Sequence, residues 1–97
     1  MNSKYSNEES IKELYKAMLI PETAEEYLNF LADLCTVAEI RAMAQRLQVA
    51  KMLKAGKVYS EIVETTGAST ATISRVNRSL FYGGKGYETV LKRLEEK

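Results

Sequence analysis

The chain has 97 residues, room for one domain around a modest core, and its 45% apolar and 28% charged content is too apolar for disorder. A single cysteine excludes an internal disulfide framework, and the absence of histidine removes the commonest general base and the ordinary zinc constellations. Fourteen basic against thirteen acidic residues leave +1, a total that by itself argues against a strongly basic nucleic-acid binder.

The apolar spacing predicts an all-α chain of about six helices with no strands. Ser6 with Glu9 reads as a capping box, and behind it Ile11, Leu14, Tyr15, Met18 and Leu19 fall on one helix face before Pro21 breaks the run. Thr23 with Glu26 opens a second helix, whose apolar positions are Tyr27, Leu28, Leu31, Leu34 and Cys35. Thr36 with Glu39 opens a third, with Ile40, Met43, Leu47 and Ala50 on one face. Gly56 closes it, after Lys51 and Lys54 at the negative end of the helix dipole. Tyr59 to Thr66 makes about two turns, Gly67 tolerates positive φ, and Ser69 caps a helix running to about Phe81. Tyr82 to Gly86 forms a loop, and a last amphipathic helix uses Tyr87, Val90, Leu91 and Leu94. The whole of residues 1–97 is expected to be a single domain.

Along the chain the charges do not cancel. Residues 1–40 hold three lysines against eight acids, net −5; residues 41–78 hold seven basic residues against two acids, net +5; residues 79–97 are +1. Ile40 to Ser60 and Thr65 to Tyr87 contain no acidic residue at all. Phosphate binding responds to local potential, so this asymmetry outweighs the total.

The spacing of Ile62, Val63, Gly67, Ala68, Ile73 and Val76 is that of a helix-turn-helix over about residues 59–80: apolar residues on a first helix, glycine at the sharp turn, apolar residues facing back from a second. Placing Ile73, Val76 and Leu80 inward turns Ala71, Ser74, Arg75 and Arg78 outward, with Thr70 and Thr72 near the helix start. Small hydroxyls hydrogen-bond base edges, alanine meets the thymine methyl, and arginine binds guanine or phosphate, so double-stranded DNA is the expected partner. Lys54 and Lys57 are further candidates for phosphate contact.

The stretch Thr36 to Leu80, with Gly-Ala-Ser-Thr-Ala-Thr-Ile-Ser-Arg at 67–75 and Tyr-Gly-Gly-Lys-Gly-Tyr at 82–87, resembles the Trp repressor superfamily and, within it, the Trp-repressor-like YerC/YecD family. That resemblance implies an intertwined homodimer offering two recognition helices to a palindromic operator, and a transcriptional regulator, most simply a repressor. It carries the base-reading positions onto Ser69, Thr70, Ala71 and Thr72, with Ser74 close by. It carries the two arginines that sandwich the repressor's tryptophan onto Arg46 and Arg75, and further pocket positions onto Thr36 and Ser79. Val76 departs from the pattern, because the repressor has glycine there. The added side chain implies that L-tryptophan is not a corepressor. Two alternatives stay open: a helical adaptor for an acidic protein partner, and a sensor of another, unidentified small-molecule effector between Arg46 and Arg75.

Other features carry less. Cys35 reads as a small buried hydrophobe, and Gly83 to Gly86 as a flexible connector that does not follow a strand. The scattered acids form no catalytic pair. No enzyme activity, cofactor or metal is expected. The absence of a long apolar run, and a first ten residues too polar for a signal peptide, point to a cytoplasmic protein with no membrane association.

Overall fold

The computed structural model describes residues 8–97. Its elements are α1 (Glu8–Met18), α2 (Ala24–Leu34), α3 (Val37–Lys54), α4 (Tyr59–Thr66), α5 (Thr70–Tyr82) and α6 (Gly86–Glu95), with no strand among the described residues. Contacts divide the chain into two units, Met1–Val37 and Ala38–Lys97.

In the first unit, α1 ends before Pro21, as the sequence requires. The Ser6 half of the first capping box lies outside the described residues. Thr23 caps α2: its hydroxyl oxygen accepts the Glu26 amide at 3.1 Å, while the Glu26 carboxylate accepts the Glu22 amide at 2.7 Å, one residue ahead of the usual reciprocal bond. The Tyr27 hydroxyl donates to the Met18 carbonyl at 2.6 Å and ties the start of α2 to the end of α1. Neither helix buries a residue. Leu19 is 80% and Leu28 65% exposed, and Cys35 is only half-buried, not the fully buried hydrophobe its apolar setting suggests.

The second unit holds the core: Val49, Ala50 and Leu53 of α3, Ile62 of α4, Ala68 of the turn, Ile73 and Val76 of α5, and Leu91 of α6. Leu47, Met52, Leu80 and Tyr87 pack against it. The face expected of α3 is thereby corrected in part: Ala50 is buried and Leu47 packs against the core as expected, but Val49 and Leu53 carry the rest of the contact and Met43 does not. Ala50 is shared, but at about 100° per residue Val49 and Leu53 lie to one side of it and Ile40, Met43 and Leu47 to the other. The first stripe enters the core and Met43 stays exposed. Val63, expected to face inward with Ile62, is exposed as well.

The end of α3 follows from Gly56. Its φ of +83° lets the Gly56 amide reach the Leu53 carbonyl and the Lys57 amide reach the Met52 carbonyl, each at 3.0 Å, which is a Schellman closure. The α5–α6 connection is tighter than a flexible linker. A Cβ on Gly83 would lie 2.5 Å from the Ser79 carbonyl oxygen, so only glycine lets the chain turn there.

Candidate nucleic-acid interface

The interface is built on α4, the turn and α5. Gly67, at φ +74°, closes α4 with its amide on the Val63 carbonyl at 2.9 Å. Two residues on, the Ser69 hydroxyl oxygen accepts the Thr72 amide at 3.1 Å and starts α5. A left-handed glycine followed so soon by an N-cap makes the chain change direction abruptly, which is the geometry of a helix-turn-helix.

Three buried side chains then fix how α5 is rotated. Ile73 is 0% and Val76 2% exposed, against Ile62 of α4 at 0%, with Leu80 packed behind them. Fully burying side chains of this size stabilises by about 1.5–3 kcal/mol each, more than any surface interaction on α5 offers, so the core decides the rotation. The opposite face is set by exclusion: Ser69, Thr70, Ala71, Ser74, Arg75 and Arg78 are exposed, as the spacing predicts, and Thr72 is half-buried. The Ser69 hydroxyl also donates to Thr72 Oγ1 at 3.1 Å, leaving the Thr72 hydroxyl proton available to an outside acceptor.

Arg75 and Arg78 have no ion-pair partner among the described residues, and no acidic residue lies between Thr65 and Tyr87 to offer one. Lys54 and Lys57 differ: Lys54 lies 3.9 Å from Glu95 and Lys57 3.9 Å from Glu61. Both pairs are long and exposed and are worth little against a phosphate.

The pocket positions are less coherent. Arg46 is half-buried on α3; Arg75 and Ser79 are exposed on α5, where Val76 between them is sealed into the core. Thr36 belongs to the first unit. Ser79 lines an open groove of about 420 Å³ with Leu47, Gly84, Gly86, Tyr87 and Val90, lined by neither arginine. Among the described residues no group of three or more His, Cys, Asp or Glu side chains could hold a metal ion, and no helix is long and apolar enough to cross a membrane.

Gln45 joins the site from α3 without any local sequence signal. Its side-chain amide Nε2–H donates to the Thr66 carbonyl, the last of α4, at 3.1 Å across 21 positions. Local spacing carries no signal for a bond of that separation.

Helical throughout the described residues, with α5 pinned by the core and presenting a basic, hydroxyl-rich outer face, the structure has the form of the helix-turn-helix class of DNA-binding proteins. Residues 9–95 match the family model described as Trp repressor protein, and the chain belongs to that family of DNA-binding regulators. It is 49% identical over 86 residues to the uncharacterised protein YerC of Bacillus subtilis strain 168, covering 89% of this chain and 83% of that one. Among solved structures it is similar to a TrpR-like protein from Eubacterium eligens ATCC 27750, at TM-score 0.89 and 47% identity over 97% of this chain and 96% of that one. It is equally similar to a Trp repressor candidate from Staphylococcus aureus, at TM-score 0.89 and 46% identity over 100% and 97% of the two chains.

Proposed function

We propose that residues 1–97 act as one Trp-repressor-like domain, forming a homodimeric, sequence-specific transcriptional repressor of the cytoplasm. In this reading Ser69, Thr70, Ala71, Thr72 and Ser74 enter the major groove, where hydroxyls and a methyl group discriminate base edges. Arg75, Arg78, Lys54 and Lys57 hold phosphates and set the register of the reading head. The observation that carries the proposal is the outer face of α5: exposed hydroxyls at its start and behind them two arginines without ion-pair partners among the described residues, on a helix whose rotation the core fixes.

Two copies are needed because one recognition helix reads too few base pairs. A symmetric dimer places two such helices about 34–36 Å apart, one turn of B-DNA. The uncovered apolar faces of α1 and α2 supply surface for such an association. Selection of duplexes from a random-sequence pool by the full-length protein tests this reading. Enriched sequences with dyad symmetry and half-sites about one helical turn apart are expected; no enrichment over the starting pool contradicts it.

The repressor works without L-tryptophan. Where the resemblance places a glycine beside the second pocket arginine, this chain has Val76, a β-branched side chain held among Ile62, Ile73 and Leu91. A ligand ring there overpacks the site at a cost of roughly 1–3 kcal/mol, or about ten- to a hundredfold in affinity. The protein contains no tryptophan, so the ligand's own emission reports its binding. No saturation is expected in the micromolar range, and a saturable micromolar signal overturns the claim.

A further inference from the structure

The turn between α4 and α5 carries more than the glycine and cap that its sequence announces. Thr66 makes two hydrogen bonds through its side chain and one through its carbonyl. Its hydroxyl donates to the Ile62 carbonyl at 2.7 Å and accepts the Ala68 amide at 3.1 Å, so one side chain spans the last turn of α4 and the first residue after Gly67. Its carbonyl, left without a helical donor at the end of α4, accepts the Gln45 side-chain amide at 3.1 Å. Both sites are partly buried, where water replaces a lost protein donor poorly. Ala68, within the turn, is itself a core residue. Gln45 stands on α3, four residues before Val49, which the core holds at 0% exposure.

We infer that Gln45 is a positioning residue for DNA reading: its side-chain amide ties the Thr66 carbonyl at the end of α4 to α3 and so fixes the direction in which Ser69 to Arg78 leave the turn. The inference rests on the reading of α5 as the recognition helix. Apolar contacts at Ile73 and Val76 set the rotation of α5 but are not directional. A hydrogen bond from a second helix to the last carbonyl before the turn is directional, and it sits where a small angular error is carried along the whole reading face. Thr66 is the other half of the device, because without its hydroxyl the Ala68 amide and the carbonyl path around Gly67 lose their shared anchor.

The test uses the full-length protein and a duplex recovered from a random pool by the wild type. Gln45→Leu, similar in size but without a donor, weakens binding to that duplex by about tenfold, the scale of one partly buried hydrogen bond. Gln45→Glu separates positioning from packing. As a carboxylate it faces the Thr66 carbonyl without a proton to give, and as a carboxylic acid it donates again. Its affinity deficit relative to the wild type at the same pH therefore shrinks as pH falls from about 7 to about 4, through the ordinary glutamate range of about 4.3. Thr66→Val weakens binding and Thr66→Ser restores it. Melting temperatures confirm that each variant is folded at the assay temperature. If the wild type binds the duplex and folded Gln45→Leu binds it equally well, or if the Gln45→Glu deficit is the same at both ends of the pH range, the inference is overturned. If the wild type recovers no duplex, it is the DNA-reading assignment itself that fails.

Discussion

The two units spend similar apolar patterns in opposite ways. Residues 38–97 draw eight buried side chains from α3, α4, the turn, α5 and α6 into one core. The described part of Met1–Val37 has amphipathic helices of its own, yet buries no residue and leaves Leu19, Ile20, Leu28 and Leu34 at least half exposed. Helices of 11 residues are marginal in isolation, and their stability ordinarily comes from packing an apolar face. The difference teaches that the second unit has its packing partners within itself, whereas the faces of the first still require a surface. In the proposed homodimer a second copy provides it.

The largest effect expected of any single change lies in the self-contained core. Ile62→Ala removes a side chain with no exposed surface and costs about 2–5 kcal/mol of unfolding free energy, measured by urea denaturation. A loss below about 0.5 kcal/mol, the scale of ordinary surface substitutions, breaks the contrast between the units. Next comes Leu28→Ala, at a side chain 65% exposed in one chain. In the proposed homodimer it weakens self-association by up to about 1.5–3 kcal/mol, the range for burying such a side chain, seen as a shift toward monomer in sedimentation equilibrium. An unchanged association constant removes that residue from the interface. Smaller again is Gly67→Ala. A Cβ there meets nothing within 4 Å, so the cost is the left-handed backbone alone, about 1–2 kcal/mol in the thermal melt.

The same contrast explains what was legible in the sequence. Helix ends are local, and α4 with its Gly67 closure and the Ser69 cap of α5 lie where glycine and hydroxyl spacing put them. The inward set Ile73, Val76 and Leu80, and the outward set Ala71, Ser74, Arg75 and Arg78, follow from one periodicity on one helix. α3 was harder because it carries apolar residues on two sides of Ala50, and periodicity cannot say which stripe a chain's own core takes. Val63 illustrates the same limit: beside Ile62 in sequence, it points elsewhere and is exposed. The bond from Gln45 to Thr66 was invisible because nothing within either neighbourhood encodes a partner 21 positions away. Net charge misled for a related reason: +1 for the whole chain hides +5 over residues 41–78.

In the proposed function, α5 meets DNA with arginines that hold phosphates. Fluorescence anisotropy of a duplex from the selected pool, titrated with the full-length protein over a series of salt concentrations, addresses it most directly. A steep fall of log K with log salt is expected for the wild type, and a slope shallower by roughly one for Arg78→Ala. Binding that ignores salt, or an Arg78→Ala slope identical to that of the wild type, contradicts it.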